Sequence, residues 1–203
     1  MDESVLYRLL LARRFLDSAA RHLEQTDVHG RAVAVVSAHD ALDNFLGALA
    51  SHLNVHIAED LTMLRTYDRI GSGGHSLGSR TKVAQLNALR NDVKHLGLSP
   101  NPAVVRQLIA EITAFADATA KAFIGRPLSR IQFVDLIRED DVRSSMQKIR
   151  ALIDSGEYRP ALEQMAHVIY RVYESHLFEF TRSLMRHTSN TAPDPEAVDF
   201  PQA

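Results

Sequence analysis

The chain has 203 residues, 45% hydrophobic and 24% charged, which excludes collagen-like, mucin-like and wholly disordered chains and suffices for one sizeable core or two small ones. Its 23 Lys and Arg against 25 Asp and Glu leave a net charge of −2, so overall charge cannot hold the protein on nucleic acid or anionic lipid and any polyanion site must be local. The lack of cysteine removes disulfides, thiol nucleophiles, thiolate zinc sites and iron–sulfur clusters, and suits a reducing compartment.

The amino end, Met1-Asp2-Glu3-Ser4, is acidic where a secretory signal is basic, and Arg8 interrupts the apolar residues that follow, so no export is expected. The longest unbroken apolar run, Ala32 to Val36, falls far short of the roughly 20 residues that span a bilayer. The expectation is a cytoplasmic protein without a membrane partner.

Val5, Leu6, Leu9, Leu10, Phe15, Leu16, Ala19, Ala20 and Leu23 recur at three- and four-residue steps, the spacing of one helix face, and predict a first helix over 5–23. Gly30 is expected to break the chain, after which Ala32, Val33, Val36, Leu42, Phe45, Leu46, Leu49 and Leu53 predict a second helix of similar length. Residues 60–70 read as a shorter helix, and the glycine-rich stretch Gly71 to Ser79 as a mobile loop. Val83, Leu86, Leu89, Val93 and Leu96 mark the next helix, with Ser79 as N-cap and Gly97 as stop. Asn101 and Pro102 open another, ending near Gly125 and Pro127. Residues 131–137 are ambiguous between strand and loop. Two further helices, about 140–154 and 160–187, form a hairpin across Ser155 and Gly156. From Thr188 onward three prolines and Asp194, Glu196 and Asp199, with no Lys or Arg, predict a disordered acidic tail. The expected fold is all-α: an up-and-down bundle over 1–125, a C-terminal helical extension over 126–187, and the tail over 188–203.

The segment Leu89-Arg90-Asn91-Asp92-Val93-Lys94-His95-Leu96-Gly97 is dense in polar and basic residues inside an apolar-striped helix. At about 100° per residue, Asn87, Asn91 and His95 share one row, Arg90 and Lys94 the adjoining one, and the apolar stripe lies behind. Between Ser79 and Leu98, Arg80, Lys82, Arg90 and Lys94 outnumber Asp92 by three, predicting a local phosphate-sized positive patch. His95 lies in the last turn, where the helix dipole favours the imidazolium while Arg90 and Lys94 oppose it. Histidine is the side chain suited to proton transfer near neutrality, and the planar guanidinium of Arg90 suits a phosphate and the charge that develops on it. Five residues apart, the two sit about 140° apart around the axis, so one helix is expected to aim them poorly at a single atom, and a cleft between two copies would solve this.

The run Arg90-Asn91-x-x-x-His95, within Leu-Arg-Asn-Asp-Val-Lys-His-Leu-Gly, resembles the HEPN superfamily, whose motif is an Arg, a polar residue, three further positions and a His. The resemblance covers roughly residues 5–125. It implies a helical bundle that dimerises through its motif helices and often cleaves RNA without a metal, in toxin–antitoxin, antiviral-defence and RNA-processing settings. It further implies a nucleotidyltransferase antitoxin or another regulator as a possible partner. Attack of the ribose 2′-hydroxyl on the adjacent phosphorus would leave a 2′,3′-cyclic phosphate and a free 5′-hydroxyl. By position, His95 would transfer protons, Arg90 hold the phosphate, Asn91 orient the site and Lys94 attract the RNA backbone. Residues 126–187 exceed the minimal family domain.

Other readings stay open beside this one. The polar helix could serve a non-catalytic interaction module that binds RNA or a protein. His39, Asp40 and Asp43, and Glu163 with His167, have the spacing of a helical metal site, but inward Glu-x-x-His pairs are missing and no metal or cofactor is expected. His75, in Gly73-Gly74-His75-Ser76, would be carried by its loop and is expected to be exposed. Tyr158, Tyr170, Tyr173, Phe178 and Phe180 could stack on bases, though their helical spacing predicts packing. Gly71-Ser72-Gly73-Gly74 lacks the Lys-Ser/Thr of a phosphate-binding loop.

Overall fold

The computed structural model describes residues 1–25, 27–58 and 61–190, and among them every regular element is helical. Seven α-helices follow one another: α1 (Glu3–Glu24), α2 (Val28–His52), α3 (Met63–Ser72), α4 (Arg80–Leu96), α5 (Pro102–Ile124), α6 (Asp140–Asp154) and α7 (Tyr158–Asn190). Short 3-10 turns at Leu128–Arg130 and Phe133–Leu136 stand between α5 and α6. Among the described residues no helix is long and apolar enough to cross a membrane. The chain divides into two compact units, one of residues Met1–Leu136 and one beginning at Ile137.

In the first unit α1 and α2 form a tight hairpin. Asp2 caps α1 by accepting the Ser4 backbone N–H at 2.8 Å, and Asp27 caps α2 by accepting that of Gly30 at 2.6 Å. Gly30, expected to break the chain, lies inside the first turn of α2. Its role is steric, because a Cβ there would sit 2.7 Å from Gln25 Cβ and 2.9 Å from the His22 carbonyl. α2 is the central helix and packs on α1, α3, α4 and α5. It is buried on more than one face, and Ala34, Val35 and Ala38 carry its amino-terminal half where Ala32, Val33 and Val36 had been expected. Small side chains suit that position because they let several neighbours approach closely. Phe45 is fully buried and meets Phe115 of α5 edge-on at 6.4 Å.

The loop before α4 is shorter and better anchored than its glycines suggest. Gly71 and Ser72 belong to α3, and the Tyr67 hydroxyl reaches the carbonyls of Leu77 and Gly78 at 2.5 and 2.9 Å. Ser79 stands at the start of α4 in the left-handed region, φ 66°, and its side chain makes no cap hydrogen bond. Gly97, φ 63°, ends α4, with the Leu98 N–H donating to the Asp92 carbonyl at 3.2 Å. Asn101 caps α5 as expected, accepting the Ala103 N–H at 2.9 Å. Residues 126–136, assigned above to the C-terminal extension, belong to the first unit. Leu128 and Ile131 are buried in its core, and Arg126 pairs with Asp135 at 2.9 Å.

In the second unit α6 and α7 pack as a hairpin through Ile149, Ala161 and Val168. Gly156, φ 81°, makes the turn between them, and the Glu157 N–H closes it on the Leu152 carbonyl at 2.8 Å. α7 runs through Thr188 to Asn190, past the end expected at His187. The rest of the predicted acidic tail, 191–203, lies outside the described residues.

Candidate functional site

α4 enters the bundle by its first half and leaves it by its second. Val83 and Leu86 are fully buried, Leu89 and Val93 are half-buried, and nothing after Leu86 reaches the core completely. Leu96, expected on the apolar stripe, is 67% exposed. The last two turns of α4 therefore present Asn91, Lys94 and His95 to solvent, with Arg90 half-buried at their base.

Arg90 Nη1 donates to Asn91 Oδ1 at 3.1 Å and lies 3.5 Å from His95 Nε2, the outer limit of a hydrogen bond. The two side chains, expected to diverge on one helix, reach each other within a single chain. Their backbone positions diverge, but the arginine side chain is long enough to fold along the helix surface and close the gap. A guanidinium only donates, so a hydrogen bond across this gap would be accepted by a lone pair on His95 Nε2, in the tautomer that carries its proton on Nδ1. A neutral imidazole nitrogen beside a fixed cation can accept a proton from a hydroxyl while the cation holds an adjoining anion. Arg90 Nε is shielded from solvent and has no hydrogen-bond partner among the described residues, so the guanidinium keeps donor capacity beyond its two contacts.

The positive patch is smaller than the residue count suggests. Arg80 donates from Nε and Nη2 to the two carboxylate oxygens of Asp68 at 2.7 and 2.8 Å, tying the start of α4 to α3. Lys82 pairs with Glu111 of α5 at 2.7 Å. These contacts hold the Asp68 and Glu111 carboxyls below their ordinary values, through hydrogen bonds from Arg80 and from Lys82. Arg90 and Lys94 against Asp92 are what remains at the exposed end of the helix.

A further histidine stands next to this row. His39 of α2 places Nε2 at 3.4 Å from Asn87 Oδ1, one turn before Asn91, and Nδ1 at 3.5 Å from its neighbour Asp40. Its spacing with Asp40 and Asp43 had suggested a metal site, yet among the described residues no group of three His, Asp or Glu side chains is placed to hold a metal ion. Asp43 responds to its surroundings, its pKa raised first by desolvation and then by the charge of Asp40, with His39 and Arg8 opposing. The pairing of His39 with Asn87 spans 48 positions, and only the shared row of Asn87 and Asn91 hints at it in the sequence.

The remaining candidates lie elsewhere. His75 is half-buried, with its ring edge-on to Phe123 at 5.8 Å, so it is neither the exposed nor the swinging histidine that its loop suggested. Glu163 pairs with Arg159 at 3.1 Å. Tyr158, Tyr170, Tyr173, Phe178 and Phe180, expected to pack, are exposed. Comparison with family models, with curated proteins and with solved structures returns no match.

Proposed function

We propose that this protein is a metal-independent endoribonuclease of the HEPN type, with Arg90 and His95 as its working pair. The observation that supports the reading is the approach of Arg90 Nη1 to His95 Nε2 at the exposed end of α4, with Asn91 on the same guanidinium. A phosphodiester seated on Arg90 would bring the neighbouring ribose 2′-hydroxyl to His95. The 2′-oxygen forms a bond to phosphorus, its proton passes to the imidazole, and the bond from phosphorus to the 5′-oxygen breaks as that oxygen takes up a proton from water. The products are a 2′,3′-cyclic phosphate and a 5′-hydroxyl. Arg90 neutralises the charge that builds on the phosphoryl oxygens, Asn91 fixes the guanidinium, and Lys94 draws the RNA backbone in.

Pairing of two copies along α4 is a separable part of the proposal, since one chain already brings Arg90 to His95. Leu96 and Leu98, 67% and 55% exposed, are the apolar surface such pairing would cover. The same two leucines favour the second reading, a non-catalytic module in which the end of α4 docks on a protein or RNA. Toxin or antiviral action, and control by a nucleotidyltransferase antitoxin or another protein, belong to the proposal as its biological setting in the cytoplasm.

The two readings part on cleavage. Wild type incubated with total RNA in excess chelator should produce discrete cuts, and Arg90→Ala and His95→Ala should each lower the rate by about 100-fold or more with unchanged helical circular dichroism. Intact RNA after incubation with a folded wild type would favour the module. Cleavage that both variants retain would place the chemistry elsewhere.

A further inference from the structure

α7 is apolar on two sides. With about 100° per residue, Ala161, Met165, Val168 and Val172 form the row that packs on α6. Leu162, Ile169, Tyr173 and Phe180 form a second row, within about 40° of one another and roughly 90° from the first. These four are 66%, 63%, 65% and 64% exposed. Ala166 and Leu177 flank the row, whose one charge, Arg159, lies at its amino-terminal end. A helix with two apolar faces is built for two neighbours, and within its unit α7 has one, α6.

The hairpin is also short of core. Ile149, Ala161 and Val168 are its buried residues, and a pair of helices with so few does not form an independent core. Arg171 hydrogen-bonds to Asp141 in the first turn of α6 and Val172 still packs on that helix, so α7 runs past the start of α6 only in its last turns toward Asn190.

We propose that the α6–α7 hairpin pairs with the same hairpin of a second copy of this chain, the outer α7 rows face to face, to make an intermolecular four-helix bundle. Aromatic side chains present roughly 150–250 Å² each and Leu and Ile somewhat less, so the outer row with its flanking Tyr170 and Leu177, each about half to two-thirds exposed, offers on the order of 700 Å² per copy, close to what one side of a standard interface buries. Residues 137–190 carry eight Lys and Arg against eight Asp and Glu. Two such hairpins therefore do not repel through net charge, and they lack the cationic surplus that would draw the aromatic row onto RNA. A two-fold pairing asks only that one row match itself. The proposal stands independently of the nuclease reading. It also supplies what pairing along α4 lacks, because two exposed leucines are too little surface to hold a dimer.

Sedimentation equilibrium of the full chain at tens of micromolar should give twice the 22.6 kDa of one chain. Ile169→Glu combined with Tyr173→Glu should return it to one chain mass, while Leu96→Glu leaves it doubled. A wild type at one chain mass, or a double variant that stays dimeric, overturns the proposal, as does a dimer that Leu96→Glu dissolves. Since the chain has no cysteine, a single introduced thiol reports proximity even if the double variant unfolds. Tyr173→Cys, near the middle of the row, should cross-link to its copy on oxidation and Gln147→Cys on α6 should not. Equal cross-linking of the two would count against the interface.

Discussion

Arg90 has donor capacity left over, and that sets it apart from Arg80 and Lys82 on the same helix. Arg80 is engaged by both oxygens of Asp68 and Lys82 by Glu111, whereas the contacts of Arg90 are with Asn91 and His95 and not with a carboxylate. Substituting Arg80 should therefore affect stability and leave RNA cleavage nearly intact, the reverse of Arg90→Ala. The Asp68 pair also carries a pH signature. Its carboxyl is held below the ordinary aspartate value by the hydrogen bond from Arg80, so its stabilisation is complete above that value and is lost as pH falls through the lowered folded value. Asp68→Asn should then melt below wild type at pH 7, with the gap closing as pH falls below the ordinary aspartate range; a gap that persists in acid would mean the loss came from packing. Gly30 is a steric case. With Gln25 Cβ at 2.7 Å and the His22 carbonyl at 2.9 Å from where a methyl would stand, Gly30→Ala should cost about 1–3 kcal/mol, read from urea denaturation.

At the scale of the element, caps separate residues that look alike in sequence. Asn101 accepts two backbone N–H groups at the start of α5, and Asn101→Ala should cost about 1 kcal/mol. Ser79 makes no such bond at the start of α4, so Ser79→Ala should be close to neutral in the same denaturation assay. A large loss there would show an unseen contact of its hydroxyl. The type and order of the helices were legible because apolar periodicity reports one buried face, and α1, α4 and α5 each have essentially one. α2 was less so: it contacts four other helices, and a helix buried on several sides loses the period that would identify its face. The break at Gly30 was misplaced because glycine reads as a stop, while here it serves close approach within the first turn of α2. Of the site, Arg90, Asn91, Lys94 and His95 were legible as a cluster on one helix. What was hidden were the partners supplied from elsewhere in the chain. Asp68 and Glu111 neutralise half the counted cations, and His39 reaches Asn87 from α2. The exposed row of α7 was misread for a related reason, since helical spacing shows that a face is apolar and not what covers it.

At the scale of the molecule, the core and the site lie in one unit. The first unit packs around Phe45, Leu46 and Leu49 of α2, and Phe45→Ala should cost about 3–5 kcal/mol by opening a cavity against Phe115. A smaller loss would mean that the neighbouring alanines of α2 let the site collapse. The motif end of α4 is not part of that core, so variants at Arg90 and His95 should leave the thermal midpoint nearly unchanged, and loss of cleavage in them would report chemistry. The central claim is that the Arg90 and His95 pair turns a ribose 2′-hydroxyl on its own phosphate. It is tested most directly with a defined RNA that wild type cuts at one position, compared with the same RNA carrying a single 2′-deoxy nucleotide 5′ to the cut, both in excess chelator. The account predicts a 2′,3′-cyclic phosphate on the first and no cut at that position in the second. Equal cleavage of the two RNAs would contradict it.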